Sequence, residues 1–148
     1  YPEIILAGRK INDSMAFWYF DRLLLYIQQN QIKTKNAKAL VLGFTFKENC
    51  PDIRNTQVIK ILEKLKENDI SYELVDPYAN IKEANKQYGI KLSNNLPKKN
   101  KYEIIIVAVA HKEFLEFDLS YWHSICKEKY VILDIKGIVP RQLNLIRT

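Results

Sequence analysis

The stretch from Ala39 to Val58 places the tightest constraint on the fold, because it reads as a buried strand, a charged loop and a helix in succession. Residues 39–42 are apolar without alternation, which is typical of a strand covered on both faces of a sheet. Gly43 ends this run, and the loop that follows carries Lys47, Glu48, Asp52 and Arg54. Asn55 is a candidate N-cap for a helix whose apolar residues recur at 58, 59, 61, 62 and 65. This order is typical of the first unit of a nucleotide-binding α/β fold.

The rest of the chain continues the alternation of strands and helices. Apolar runs predict strands at 39–44, 71–75, 90–92, 103–109 and 130–134, while helices are predicted at 55–68, 81–88, 113–117 and 121–126. The run at 103–109 is rich in β-branched residues, which indicates a central parallel strand. We therefore predict an α/β protein with a Rossmann-like, doubly wound parallel sheet. The mostly polar tail from Pro140 is expected to be loose.

A long helix is predicted ahead of the sheet, from Ile4 to about Asn30. It is apolar nearly all round, so it must be covered on more than one side. Either its own domain buries it entirely, or a second domain or subunit supplies part of the cover, and the pattern favours the second alternative. The polar segment 28–38 ends the helix. The expected division is a helix and linker over 1–36 and an α/β domain over 37–148.

Composition excludes several other classes of protein. The net charge is +6, but basic residues are not interleaved with aromatic residues as a nucleic-acid-binding face requires, and we expect solvated lysines at 33, 35, 38, 98, 99 and 101. No apolar run approaches the roughly 18 residues of a membrane span. Two cysteines suit a reducing cytoplasm, and with two histidines they form no metal-ligand spacing. The chain has neither a signal peptide nor an initiator Met, so we expect it to be part of a longer protein.

The charged loop after the first strand is the candidate anion-binding site. It lacks a G-x-G-x-x-G pattern, so backbone amides alone are not expected to cradle a pyrophosphate. The loop instead carries two cations, Lys47 and Arg54, which are either anion ligands or solvated loop charges. Lys136 follows the last predicted strand. Because the carboxyl ends of parallel strands meet at one edge of a sheet, we expect Lys136 and Lys47 at the same edge.

Three further residues near that edge have open roles. Asp76 could accept hydrogen bonds from ribose hydroxyls or could shape a turn with Pro77, and the turn is favoured. His111 could be an acid or base, but without a visible partner it reads better as a loop or capping histidine. Cys50 lies close to two cations, yet an incidental loop cysteine is the favoured interpretation.

Several ordered motifs carry a resemblance to a known family. They are Gly43-Phe44-Thr45-Phe46-Lys47 with Asp52-Ile53-Arg54-Asn55, the segment 5–13, Val75-Asp76-Pro77, the strand 105–109 and Asp134-Ile135-Lys136-Gly137. Together they resemble the C-terminal domain of the UDP-glucose/GDP-mannose dehydrogenase family. Within it, the chain looks most like the bacterial UDP-N-acetylhexosamine 6-dehydrogenases of capsule and Vi-type polysaccharide synthesis. The resemblance extends over nearly the whole chain.

The resemblance implies roles for particular residues. Phe46, Lys47 and Lys136 match positions that contact the UDP-sugar substrate, although many members of the family carry an arginine where Lys136 stands. Arg54 matches the arginine that reaches NAD, the cofactor bound mainly by the missing N-terminal domain, and Asp52 would orient it. The family's catalytic cysteine lies in a Gly-Gly-x-Cys motif, which this chain lacks, so no catalytic residue and no metal site are expected in this fragment.

The resemblance also implies the function of the whole protein. It would be a cytoplasmic NAD-dependent enzyme, dimeric through the long helix, that oxidises a UDP-sugar to a UDP-uronic acid. This fragment would bind the UDP-sugar without catalysing the reaction. One alternative is a receiver-like signalling module on a similar sheet, but that module needs an acidic pair after the first strand to hold Mg²⁺, and Phe46 and Lys47 stand there. Another is a dimerisation or interaction module without a ligand.

Overall fold

The computed structural model describes residues 2–97 and 101–147, with side chains from residue 15 onward. Within these residues the strands form one five-stranded parallel sheet in the order β2-β1-β3-β4-β5. The strands are β1 (Lys38–Leu42), β2 (Ser71–Val75), β3 (Tyr102–Val107), β4 (Cys126–Asp134) and β5 (Leu145–Ile146). The helices are α1 (Pro2–Gln29), α2 (Val58–Glu67), α3 (Ile81–Tyr88), α4 (Lys112–Leu115) and α5 (Leu119–Ile125).

The two central strands are buried on both faces of the sheet. Alternate side chains of β1 and β3 point to opposite sides, as the two-residue period of a strand requires. One face packs against α1 and α2, and the other packs against α4 and α5. Burial of each large apolar side chain contributes about 1.5–3 kcal/mol, so this double cover is the main source of stability. The doubly wound α/β architecture expected from the sequence is therefore confirmed.

The direction of winding reverses between β1 and β3. The chain passes from β1 to β2 in one direction along the sheet, then returns across β1 to β3 and continues to β4 and β5. In open α/β sheets a crevice forms at such a reversal, beyond the carboxyl ends of the strands. The topology thus fixes where a ligand site is to be sought.

The long N-terminal helix forms as predicted, and its described half has one buried side. Ala16, Phe20, Leu23 and Ile27 are buried against α2 and the sheet. Four large apolar side chains stay between 40% and 50% exposed, namely Met15, Phe17, Trp18 and Leu25. This chain therefore covers one side of α1 and leaves an apolar side open, while the identity of a covering partner stays a prediction.

Two predicted local features are wrong. Asn55 is not the N-cap of α2, since its backbone has a φ of +59° and the helix begins three residues later, with Gln57 at the N-cap. The Thr56 hydroxyl accepts a hydrogen bond from the Val58 N–H instead. No strand forms at 90–92, where the buried side chains of Ile90 and Leu92 pack as a loop and one bridge joins Val75 to Ser93.

The tail beyond Pro140 is ordered against the sheet, which corrects the expectation that it is loose. Leu143 and Ile146 are buried, and the residues Leu145–Ile146 add β5 to the edge of β4. The sequence does not predict this short strand, because its few apolar residues are spread through a polar segment. Lys98 and Lys99 of the predicted solvated loop lie outside the described residues. Among the helices that the structure describes, none combines the length and apolar character needed to cross a membrane.

Gly43 follows β1 directly and lies close to Val109 in the segment after β3. Its φ is +100°, a conformation that other residues rarely adopt. A Cβ at this position would lie 2.5 Å from the Cβ of Val109 and 2.8 Å from its backbone nitrogen. Because one of these neighbours is backbone, a rotamer change alone cannot relieve the clash.

We expect Gly43→Ala to lower the free energy of unfolding by about 3 kcal/mol, since backbone strain and overpacking each cost about 1–3 kcal/mol. The matched control is Gly137→Ala, because Gly137 has a φ of +70° but nothing lies within 4 Å of its added Cβ. The control should cost about 1 kcal/mol from the left-handed backbone alone. Urea denaturation of the two variants measures both effects, and equal losses would contradict the close-approach argument.

Candidate functional site

A cavity of about 200 Å³ lies beyond the carboxyl ends of β1, β3 and β4, at the reversal of the sheet order. Five segments of the chain converge on it. They contribute Met15, Ala16 and Tyr19 from α1, Thr45, Phe46 and Glu48 after β1, Thr56, Gln57, Val58 and Ile61 around the start of α2, Ala108 and Val109 after β3, and Ile135 and Lys136 after β4. This is the position at which doubly wound proteins bind their ligands.

Two of the substrate-binding residues expected from the sequence line this cavity together. Phe46 and Lys136 approach it from the loops after β1 and β4, although 90 positions separate them in the chain. The Phe46 side chain is 61% exposed, which is unusual for a phenylalanine. Lys47 is exposed on the same loop but is not among the residues that line the cavity. Both lysines lie at the same edge of the sheet, as expected.

The start of α2 adds a second attraction for anions to the same cavity. The N-cap Gln57 makes no capping hydrogen bond with its side chain, and Thr56 accepts from the Val58 N–H. The first N–H groups of a helix have no partners within the helix, and the helix dipole favours negative charge at this end. The cavity therefore combines this helix end with one cationic side chain, Lys136, and one anionic side chain, Glu48.

Arg54 lies away from this cavity, in a wide, open cleft of about 890 Å³ between the loop after β1 and the start of α3. Its guanidinium Nε and Nη2 each donate to a different carboxylate oxygen of Asp52, both at 3.0 Å. The hydrogen bonds from Arg54 lower the pKa of the Asp52 carboxyl. The pair fixes the direction of a side chain that is 78% exposed, as the expected orienting role of Asp52 requires.

Asp76 is a fully buried carboxylate that binds the backbone of two loops. Its Oδ2 accepts from the backbone N–H groups of Phe44 at 2.7 Å and Thr45 at 3.0 Å. Its Oδ1 accepts from those of Tyr78 at 2.8 Å and Ala79 at 3.1 Å. The side chain is 0% exposed, so it is not available to ribose hydroxyls. Of the two roles left open by the sequence, the structure supports the shaping of a turn.

His111 completes this buried group. Its Nδ1 accepts from the Asn49 N–H at 2.9 Å, so that nitrogen carries no proton. The proton therefore resides on Nε2, which lies 2.8 Å from Asp76 Oδ2 and 3.2 Å from the Thr45 hydroxyl. Burial alone would raise the pKa of Asp76, but the hydrogen bonds from His111, Phe44 and Thr45 outweigh burial and hold it below its usual value.

A second buried aspartate shapes the loop that carries Lys136. Asp134 ends β4 and accepts from the backbone N–H groups of Ile138 at 3.1 Å and Val139 at 2.9 Å. Arg147 Nε also donates to it, at 3.0 Å. Both loops that bring sequence-predicted residues to the cavity are thus held by an aspartate at the end of a strand.

Sequence patterns missed the partnership between Asp76 and His111, because 35 residues separate them. The recurrence of an aspartate directly after the apolar runs of β2 and within the end of β4 was the available signal. Cys50 is half-buried and lines the cleft of Arg54. Across the described residues, no group of three or more histidine, cysteine or carboxylate side chains could hold a metal ion.

A doubly wound sheet with a cavity at its reversal point, lined by a lysine and the start of a helix, is typical of nucleotide-binding α/β domains. Comparison with solved structures agrees on the fold. NDP-N-acetyl-D-galactosaminuronic acid dehydrogenase from Methanosarcina mazei Go1 superposes with a TM-score of 0.82 at 20% identity, over 97% of this chain and 30% of that one. The UDP-N-acetyl-mannosamine dehydrogenase Cap5O from Staphylococcus aureus gives 0.72 at 24% identity, over 98% and 32%.

Sequence comparison identifies the family. The chain is 37% identical over 147 residues to UDP-N-acetyl-D-glucosamine 6-dehydrogenase of Salmonella typhi, covering 99% of this chain and 34% of that protein. It is 39% identical over 139 residues to Protein CapL of Staphylococcus aureus, covering 94% and 32%. The family model for the UDP binding domain of the UDP-glucose/GDP-mannose dehydrogenase family matches residues 40–141.

This chain therefore belongs to the UDP-glucose/GDP-mannose dehydrogenase family and corresponds to its UDP binding domain. The resemblance seen in the ordered motifs is confirmed. The chain spans about a third of the length of the curated relatives it matches.

We expect Asp76→Asn to lower the free energy of unfolding by about 3 kcal/mol, because an amide oxygen cannot replace both carboxylate oxygens. At least two buried N–H groups would lose their acceptor, at about 1–3 kcal/mol each. The matched control is Asp118→Asn, since Asp118 is an exposed N-cap that accepts one bond, from the Tyr121 N–H. Asparagine caps equally well, so the control should change stability by less than about 0.5 kcal/mol.

The Asp76 carboxylate also makes the stability of the protein depend on pH. Its pKa is lowered in the folded state, so its contribution is fully present above the unfolded pKa of about 3.9. That contribution is lost as the pH falls through the lower folded pKa. Urea denaturation between pH 7 and pH 3 should show a steeper loss for the unmodified chain than for Asp76→Asn. Identical slopes would contradict a stabilising ionised Asp76.

Proposed function

We propose that this chain is the nucleotide-sugar-binding part of an NAD-dependent UDP-sugar 6-dehydrogenase. The proposed substrate is a UDP-N-acetylhexosamine, and the product is a UDP-uronic acid destined for a surface polysaccharide. The observation that carries the proposal is the cavity where Phe46 and Lys136 meet the start of α2, in a chain of this family. The receiver-like alternative is set aside, because the family match accounts for the chain and Phe46 and Lys47 replace the acidic pair that a receiver needs.

The diphosphate of the substrate is the part that these residues would recognise. Lys47 and Lys136 are exposed lysines at the same edge of the sheet, and each can donate charge-assisted hydrogen bonds to phosphate oxygens. A lysine acts as a point charge, so Lys136 would bind without the bidentate geometry of an arginine. Phe46 would cover an apolar face of the ligand, which accounts for an aromatic ring 61% exposed on a loop.

The size of the cavity supports a site that another domain completes. About 200 Å³ is below the usual range of roughly 300–1,000 Å³ for small-molecule pockets, and a nucleotide sugar is a large ligand. The rest of the ligand would extend from the cavity towards a second domain. The proposed partner is the protein's own N-terminal domain, which would also contribute the catalytic cysteine of the family.

Arg54 is the proposed contact to the cofactor. Its guanidinium is held from one side by Asp52 and remains 78% exposed at an open cleft, a geometry that suits an anionic group reaching in from another domain. The N-terminal domain would hold most of the NAD, which supplies the hydride-accepting chemistry when bound. In this chain the contribution of Arg54 is to bind and orient.

The open side of α1 supports a further contact in the whole protein. Its exposed apolar side chains (Met15, Phe17, Trp18 and Leu25) are the surface that we propose a second copy of the protein covers, giving a homodimer. We retain 1–36 as helix and linker and 37–148 as the binding domain, with the family match from residue 40 in support. Two unpaired cysteines, Cys50 and Cys126, are consistent with a cytoplasmic location.

We expect Lys47→Ala and Lys136→Ala each to weaken UDP binding about tenfold, because a hydrogen bond to a charged group contributes about 1.5–3 kcal/mol. The control is Lys129→Ala, since Lys129 is an exposed lysine near the start of β4, at the opposite edge of the sheet. Its removal should change the dissociation constant less than twofold. Titration of the chain with UDP, monitored by calorimetry or NMR, gives these dissociation constants.

Three results would contradict these proposals. Absence of any UDP binding at millimolar concentration would overturn the proposed function. An equal loss for the Lys129 variant would show that general charge, rather than this site, governs the affinity. NAD reduction by the chain alone with a UDP-sugar would contradict the assignment of catalysis to another domain.

A further inference from the structure

The buried pair of Asp76 and His111 joins three separate loops at the carboxyl edge of the sheet. Asp76 stands at the end of β2, and His111 stands between β3 and α4. Both side chains are 0% exposed, and they meet at 2.8 Å. Together they bind the loop after β1, which lies at the reversal point of the sheet. We call the pair of Asp76 and His111 the clamp.

The clamp binds both ends of the segment 44–49, the first part of the loop after β1. At the near end, Asp76 binds the backbone N–H groups of Phe44 and Thr45. At the far end, His111 Nδ1 accepts from the Asn49 N–H at 2.9 Å, while the Asn49 side chain accepts from the Lys112 N–H at 2.8 Å. Asn49 has a φ of +58°, a left-handed conformation that needs such support.

Between these two anchors the loop presents its apex to solvent. Phe46, Lys47 and Glu48 are exposed, and Phe46 and Glu48 line the cavity. The Thr45 hydroxyl donates to the Lys47 carbonyl at 3.0 Å and also lies 3.2 Å from His111 Nε2. The histidine therefore acts on the backbone that carries Phe46 and Lys47, without reaching the cavity itself.

The imidazole ring is held in turn by aromatic neighbours. Tyr78 packs on it with ring centroids 4.7 Å apart, and Phe114 contacts it edge-on at 5.4 Å. The Tyr78 hydroxyl donates to Glu113 at 2.7 Å, which fixes that ring as well. The orientation of both imidazole nitrogens is thereby determined by packing.

We propose that His111 is a positioning residue for the UDP-sugar site. By binding Asp76 through one nitrogen and Asn49 through the other, it holds the loop over 44–49 in the form that directs Phe46 and Lys47 to the ligand. A loop fixed beforehand in its binding conformation loses less entropy on binding, which raises affinity without a new contact. The inference rests on the proposed function and names a residue outside the substrate contacts that governs it.

Two conservative variants separate the two nitrogens. The amide of glutamine reaches the Nε2 position and can still donate to Asp76, whereas the amide of asparagine reaches the Nδ1 position and can still accept from the Asn49 N–H. We expect His111→Gln to weaken UDP binding about fivefold, within the range of coupling found inside one hydrogen-bond network. His111→Asn should retain more of the affinity, because the far end of the loop stays bound.

The decisive readout is a double-mutant cycle between positions 111 and 47, with the dissociation constant for UDP measured on the 148-residue chain. If His111 acts by placing Lys47, His111→Gln should change the affinity less than about twofold once Lys47 is already alanine. A merely structural role would leave the two effects independent. The stability control is Ile125→Val, in the core between the sheet and helices α4 and α5. This variant should leave UDP affinity unchanged.

Each result has a definite meaning. Fivefold weakening by His111→Gln that disappears in the Lys47→Ala background supports positioning. Unchanged affinity, fully independent effects, or an equal loss for Ile125→Val would overturn it. Absence of UDP binding by the unmodified chain would instead refute the proposed function, and this inference with it.

Discussion

The site depends on one buried charge, the Asp76 carboxylate, being fully satisfied by hydrogen bonds. Burial without partners would force such a group to take up a proton or leave the protein interior unstable. Four backbone N–H groups and the His111 Nε2 supply the partners, and all of them belong to loops at the carboxyl edge. The carboxylate therefore cannot be satisfied unless those loops take their native positions, which couples stability to the geometry of the site.

This arrangement separates the residues that shape the site from those that face a ligand. Asp76 and His111 are buried and bind backbone and each other, and the buried Asp134 binds backbone and Arg147, whereas Lys47 and Lys136 stay in solvent. Neither aspartate neutralises these lysines, which leaves both cations available for the proposed diphosphate. Such a division is what the proposed role in binding a diphosphate requires.

Much of the fold could be predicted because long apolar runs leave few alternatives. The strands at β1 and β3 and the helix α1 followed from periodicity, and the shared edge of Lys47 and Lys136 followed from parallel topology. Short features could not be found in this way: β5 has two residues, and the start of α2 depended on the backbone conformation of Asn55. The contact between Asp76 and His111 could not be predicted, because residues 35 positions apart produce no periodic pattern in the sequence.

In the proposed function, a UDP group binds at the carboxyl edge of the sheet, near Lys47 and Lys136. The most direct measurement is a map of amide chemical-shift changes on titrating the isotopically labelled chain with UDP. We expect the largest changes at 44–48, around Thr56 to Val58, and at 135–137, with little change at the opposite edge. Changes centred instead on the lysine-rich amino edge, around Lys33, Lys101 and Lys127, would contradict it.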